Sequence, residues 1–414
     1  MSYDYLARRS GRYPIGAFYF NQNLWNEESV RQLSEMGVDF LLAVTPNEEL
    51  FALCEKYRIG ILESVFPSWW GGDGDNAGGY AKAVPEGTLV ARQAQRSKSS
   101  ANWGDYLVDE PNAKDFAHID KICKEYSRIW PDDLPFINLY PNYASIPKNT
   151  ADETVSQLGT ATYYEHIERY VREIDLPYIC FDYYPFTGVF DHYLENLDIT
   201  AAACRRTGKE LWVIIQTGAW KAEKQIFEYQ LRWQAMLCLA YGARSIMHAS
   251  YCKGWWDVTT ACVDADGKKN PMYTWAEQID RELHAMGDAF LQYVPTGVCV
   301  RGDIDSADAR IRPQLIRQSA QRDSACPDPW CGIDADGAIV VGCFRREAGE
   351  GRALMLVNAK NPFDPQAAVE VILTPETKKI ILHRGETVET VDVADGTYKL
   401  TLASGEGVFA ELIG

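Results

Sequence analysis

Trp103-Gly104-Asp105-Tyr106-Leu107-Val108-Asp109-Glu110-Pro111-Asn112 decides how the rest of the chain is read. Aromatic and β-branched residues open it as a short buried strand. Two adjacent carboxylates follow, and Pro111 then stops the strand, because proline has no N–H to give a ladder. Asp109 and Glu110 therefore stand at a strand's carboxyl end, the edge of a parallel sheet or barrel where α/β enzymes place their chemistry. A surface turn in which Asp caps the next helix is the competing reading, and the surrounding sequence has to decide between them.

Outward from this segment, apolar strand candidates recur at Ile15–Phe20, Val38–Val44, Ile59–Val65, Tyr106–Val108, Phe136–Tyr140, Tyr178–Asp182, Leu211–Gln216 and Ser245–Ser250. Helical patterns lie between them, including Asn26–Met36, Glu48–Tyr57, Ala113–Ile129, Thr162–Ile174 and Lys224–Tyr241. Such alternation argues a parallel sheet. Eight repeats fit a (β/α)₈ TIM barrel, whose usual size is ~250 residues. No GxGxxG or GxxxxGK[ST] opens a helix after an early strand, which weakens an open doubly wound sheet. The segment Phe66–Ser100 reads as a long aromatic loop at the barrel's carboxyl end.

After the helical stretch Met272–Tyr293 the period changes. Short alternating runs follow at Ala338–Phe344, Ala353–Asn358, Ala368–Leu373, Lys379–His383, Thr397–Leu402 and Val408–Ile413, with turn signals such as Asp336-Gly337 and Asp395-Gly396. The expected architecture is an α/β chain: a (β/α)₈ barrel over residues 1–292, then a small C-terminal β-sandwich over 293–414.

A net charge of −17 on 414 residues argues against a nucleic-acid or anionic-membrane surface. Eleven cysteines are scattered without CxxC spacing, many in apolar runs, and read as reduced core residues. The first residues, Met1–Tyr5, carry no apolar leader, and no run approaches a membrane span. These features point to a cytoplasmic protein with no nucleic-acid or membrane partner; a homo-oligomer is compatible with them.

The polar strand ends gather candidate chemistry in one pocket. They are Glu63 on the third strand, Asp109 and Glu110 on the fourth, and Asn138 and Tyr140 on the fifth. Asp182, Tyr183 and Tyr184 follow on the sixth, Gln216 on the seventh and His248 on the eighth. Tryptophans crowd the following loops at Trp69, Trp70, Trp220, Trp255 and Trp256. Carboxylates ringed by aromatics suit sugars, whose C–H faces stack on rings while hydroxyls need polar partners. The expected partner is thus an oligosaccharide or glycoside. Glycosidic cleavage needs a proton donor and a second group to meet an oxocarbenium-like centre. Glu110 is the expected acid. Asp182, again on a strand stopped by proline, is the expected nucleophile or base, and Asp109 could instead orient a substrate N-acetyl group. Glu63 is a weaker third choice. For Asp109 and Asp182 the structural alternative is a carboxylate that merely holds a loop.

Asp109-Glu110-Pro111 resembles the Asn-Glu-Pro that carries the acid/base in the clan of β-glycosidase barrels that includes the family 42 β-galactosidases. Leu231–Met236 with Ala240–Ile246 resembles the helix and eighth strand of that clan. Asp264–Gly267 leading to Tyr273–Trp275 resembles its approach to a β domain. The resemblance implies a glycosidase. It also implies a glutamate nucleophile on the seventh strand, where this chain has Gln216, an amide that cannot ionise. Three options follow: a second carboxylate moved to Asp182, an Asp109-Glu110 pair used as in the N-acetylhexosaminidase families it is similar to, or glycan binding without cleavage. Six histidines, none in HxH or HExxH spacing, lead to no metal or cofactor being expected, and no GxSxG elbow is present.

Overall fold

The computed structural model describes residues 4–66, 79–145, 157–320, 330–393 and 395–413. Eight strands make one parallel sheet: β1 (Ile15–Phe18), β2 (Phe40–Val44), β3 (Gly60–Glu63), β4 (Asn102–Asp109), β5 (Leu134–Asn138), β6 (Tyr178–Tyr183), β7 (Glu210–Gln216) and β8 (Ala243–Ala249). Their order is β5-β4-β3-β2-β1-β8-β7-β6, and a parallel bridge between Leu139 and Phe181 joins its two ends. The (β/α)₈ barrel expected from the alternation is the fold.

Local chemistry starts the helices where the sequence predicts. Asn26, Asn47 and Thr162 cap their helices, each side-chain oxygen accepting from a backbone N–H three residues on. The expected loop Phe66–Ser100 is more structured than its composition suggests. Its described part contains helices Tyr80–Ala83 and Thr88–Gln93.

Aromatic rings fill the barrel, and glycines make room for them. A Cβ on Gly60 would meet the Trp103 ring at 2.0 Å, and one on Gly16 would meet Phe40 at 2.6 Å. Tyr178 stacks on Trp212 at 3.9 Å between centroids. Its hydroxyl reaches over the weakly paired β5–β6 seam, donating to Pro135 O and accepting from Ile137 N, both at 2.8 Å.

Nine strands follow: β9 (Tyr293–Arg301), β10 (Cys331–Ala335), β11 (Ile339–Arg346), β12 (Arg352–Asn358), β13 (Val369–Pro375), β14 (Lys379–Arg384), β15 (Thr387–Asp392), β16 (Tyr398–Leu402) and β17 (Gly407–Ile413). They form a sandwich of two antiparallel sheets, β10-β13-β16 and β15-β14-β17-β12-β11-β9. Strands β9, β10 and β15 escape the sequence reading. Pro295 and Gly297 interrupt the first, and β15 is an exposed edge without an apolar face.

The larger sheet is covered on both faces. Ile339, Val341, Leu354 and Leu356 point into the sandwich core, while the alternate residues Val340, Met355, Val357 and Phe409 pack with the barrel. Helix Glu228–Ala240 lies between the barrel and this sheet. It is buried on nearly every side, which explains why its sequence lacks a polar face.

Among the described residues nine cysteines are free and buried, as the composition suggested, but Cys299 is disulfide-bonded. The expectation of a fully reduced set is corrected there; the spacing of the cysteines alone does not reveal which of them pair. Among the described residues no helix is long and apolar enough to cross a membrane.

The contact between sheet and helix is testable at Gly342, where a Cβ would come 2.2 Å from the Ala240 carbonyl oxygen. Gly342→Ala is expected to destabilise the chain by about 1–3 kcal/mol, the usual cost of overpacking. Equilibrium denaturation of the two proteins measures it, and an unchanged midpoint would show the helix free to move.

Candidate active site

The carboxyl ends of β4, β5 and β6 carry the site. Asp109 is the last residue of β4, and Asn138 is the last of β5. Asp182 is the penultimate residue of β6. Asn138 joins the two acids: its Nδ2 donates to Asp109 Oδ1 at 2.9 Å and to Asp182 Oδ1 at 2.8 Å. The Tyr106 hydroxyl, from inside the barrel, donates to the same Asp109 oxygen at 2.6 Å.

Glu110 follows at once with φ +47°, a left-handed conformation that costs a non-glycine residue of order 1–3 kcal/mol. Its backbone N–H donates to Asn138 O at 2.8 Å, which continues the ladder one residue past the strand. The turn lets two consecutive residues present carboxylates at one strand end, against the usual alternation of faces.

Burial raises both aspartates above the ordinary carboxylate range. Asp182, 5% exposed, is pushed up to about 7 by desolvation and by the charge of Asp109, against hydrogen bonds from Asn138 and Tyr184. Asp109 is raised by desolvation, and the bonds from Tyr106 and Asn138 oppose it. The pair thus favours holding a proton.

Aromatic residues wall this end. Trp255 packs edge-on with Tyr19 at 5.5 Å and lies 5.7 Å from Tyr184 and 5.4 Å from Trp256 between centroids. The Trp255 indole N–H is buried without a hydrogen-bond partner. Trp220 is 56% exposed and meets Trp256 at 4.8 Å.

Two tyrosines missed by the sequence reading belong here. Burial raises the Tyr143 hydroxyl, with Asp182 and Glu110 adding to it, and Tyr19 is raised by burial and then by Asp109. Tyr143 sits past the end of β5 beyond a proline, and Tyr19 just past β1, positions that a list of strand termini overlooks. Tyr140 is buried at the same end of β5. Trp69 and Trp70 lie outside the described residues.

Four expected contributors are engaged elsewhere. His248 is fully buried and turned to the helical layer, with Nε2 2.8 Å from Asp280 of helix Pro271–Phe290. Tyr183 likewise points outward, its hydroxyl donating to Val189 O at 2.7 Å beside Tyr193. Gln216 spends its amide on loop backbone, accepting from Phe186 N at 2.9 Å and donating to Gly218 O at 2.8 Å. Glu63 faces the outer shell, where it pairs with Arg92 at 2.6 Å and accepts from Asn102. The first, second and fourth are corrected by alternation along the strand, and Gln216 by the needs of the loops around it. Among the described residues no group of three His, Cys, Asp or Glu is placed to hold a metal ion.

No family model matches the chain, and no curated protein does. Solved structures do resemble it. An α-amylase from Anoxybacillus superposes with a TM-score of 0.51 at 10% identity, over 98% of each chain. An α-amylase from Geobacillus thermoleovorans, solved with acarbose, gives 0.49 at 11% identity over 100% of this chain and 99% of its own. Xylanase 10B from Thermotoga maritima gives 0.43 at 12% identity over 68% and 98%. These neighbours are glycosidases by name. At 10% identity the first likeness speaks to the fold alone, along the whole length of the chain.

The buried pair yields a stability test. Since the folded-state pKa of Asp182 lies above its unfolded value of ~3.9, neutral Asp182 stabilises the fold fully below that value. This contribution is lost as pH rises to about 7. Asp182→Asn removes the cost of the buried charge, so its melting temperature relative to wild type should climb between pH 5 and pH 8. A difference that stays flat with pH sinks the assignment.

Proposed function

We propose that the chain is a glycoside hydrolase that cleaves a terminal sugar from an oligosaccharide or glycoconjugate. The observation that carries this reading is the convergence of Asp109, Glu110 and Asp182 at one barrel end, with Asn138 tying two of them together. The wall of Tyr184, Trp255 and Trp256 supports it, as does the buried, unpartnered Trp255 N–H, a donor suited to a sugar hydroxyl.

Glu110 donates its proton to the leaving oxygen as the glycosidic C–O bond breaks. The Asp109–Asp182 pair, whose affinity for protons burial raises, faces the oxocarbenium-like centre. Asp182 is the first choice for nucleophile or base. Gln216, with both ends of its amide committed to backbone, supplies neither.

A second reading rests on Asp109. Both of its side-chain hydrogen bonds fall on Oδ1, which leaves the other oxygen to orient a substrate acetamido group whose carbonyl attacks the anomeric carbon. A β-galactosidase-like substrate suits the first route and an N-acetylhexosaminide the second. A barrel that binds glycans without cleaving them would show sugar binding and no turnover.

A panel of nitrophenyl glycosides, galactoside and N-acetylhexosaminide first, separates these readings. Glu110→Gln is expected to keep the fold and sugar affinity and lower kcat ~10²–10⁴-fold on substrates with poor leaving groups. Asp182→Asn should silence galactosides, whereas Asp109→Asn should fall hardest on N-acetylhexosaminides. Near-normal turnover in Glu110→Gln overturns the acid assignment.

A further inference from the structure

A cavity of about 620 Å³ opens at the amino-terminal end of the barrel, opposite the carboxylates. Its walls come from the segments that enter β7 and β8, from the helix Tyr5–Ser10, and from Val294, Pro295 and Arg345 of the β domain. Six lining side chains are Arg or Lys and four are Asp or Glu. This is a local excess of cations in a chain of net charge −17.

Most of these cations have partners. Arg8 pairs with Asp4 at 2.9 Å, and Arg12 with Asp39 at 2.8 Å. Arg244 donates to the carbonyls of Leu291 and Tyr293 at 2.9 and 2.8 Å. Lys209 donates to Leu176 O and Ile174 O.

Arg205 differs. Its Nη1 is shut off from solvent without a hydrogen-bond partner, and its charged and titratable neighbours are Tyr241, Cys204 and Cys343, none a carboxylate. It sits in the last turn of helix Tyr193–Thr207, where an arginine ordinarily complements the free carbonyls. Nη1 bonds to none of them. The side chain as a whole is only partly buried and lines the cavity, where an oxyanion would give the guanidinium an acceptor that the protein does not supply.

We propose that this cavity binds a small oxyanion-bearing ligand, a phosphate monoester or a carboxylate, anchored by Arg205 with Lys209 beside it. The planar guanidinium matches either oxyanion through paired N–H donors. The volume falls within the range of small-molecule sites, ~300–1,000 Å³. A ligand here touches both the barrel and the β domain, so it would strengthen their contact. The inference is independent of the hydrolase reading, since none of the candidate catalytic residues lines the cavity.

Thermal unfolding of the full chain, titrated with inorganic phosphate and separately with succinate at fixed ionic strength, tests it, with chloride as the control. Wild type should show a saturable rise in melting temperature with at least one of the two. A phosphate response identifies the phosphate class and a succinate response the carboxylate class. Arg205→Met should melt no lower than wild type without anion, because it removes a partly buried guanidinium that has no acceptor for Nη1, and should weaken half-saturation by roughly ten- to a hundredfold, the worth of a charged hydrogen bond. Arg205→Lys, which keeps the charge and loses the fork, should respond at an intermediate concentration. Three results overturn the proposal: no oxyanion effect beyond chloride in wild type, an equal response in Arg205→Met, or an anion-free Arg205→Met that melts well below wild type.

Discussion

One side-chain amide organises the carboxyl end of this barrel. Asn138 ends β5 and donates to an aspartate on the strand at either side, Asp109 of β4 and Asp182 of β6. The second of these bonds crosses the seam where the backbone pairing is thinnest, a single bridge between Leu139 and Phe181. The Tyr178 hydroxyl ties the same seam from below. Closing the barrel and assembling the acidic pair are therefore one event, and a chain that failed to close at β5–β6 would have no site. The same amide explains how two carboxylates can be buried so near each other. It supplies each with a donor and leaves the residual repulsion to appear as a raised affinity for protons.

A second set of acids sits on the outer face of β3 and β4 and has cationic partners. Asp105 of β4 and Glu63 of β3 face outward, where Arg92 and Arg96 meet them and Tyr126 donates to Asp105 at 2.6 Å. Arg96 also reaches Asp133 at the start of β5. Burial raises the Glu63 carboxyl while Arg92 opposes the rise, and the ion pairs fasten β3 and β4 to the segment that carries Arg92 and Arg96. Adjacent strand positions thus separate into anchoring acids outside and a proton-sharing pair inside. The difference lies in the presence of arginine.

Much of this was legible in the sequence. Strand–helix alternation announced the barrel, and Asp109-Glu110-Pro111 marked the strand end that the structure makes the centre of the carboxylate cluster. The reading went too far in sending every polar strand-end residue to the pocket. Successive strand residues face opposite sides, so Asp182 pointing inward sends Tyr183 outward, and Met247 inside the barrel sends His248 to Asp280. That correction needed no coordinates, only the period of a strand. Gln216 is another matter. Its amide is consumed by the backbone of Phe186 and Gly218, from loops whose path no local pattern encodes. Strand β15, exposed and polar, and Tyr143, in a short turn past Pro141, were invisible for the same reason: neither carries a periodic apolar signal.

The two ends of the barrel treat isolated charge differently, and this sets their roles apart. At the carboxyl end, Asp109 and Asp182 have amide and hydroxyl donors but no cation among the causes of their pKa shift, and burial raises their affinity for protons, which is the state a proton-transfer site needs. At the amino end, helices finish with their carbonyls toward the cavity and most cations close on those carbonyls or on nearby acids. An arginine cannot shed its proton to escape burial as an aspartate can accept one. Arg205 therefore keeps its charge on the cavity wall, with Nη1 left without a protein acceptor.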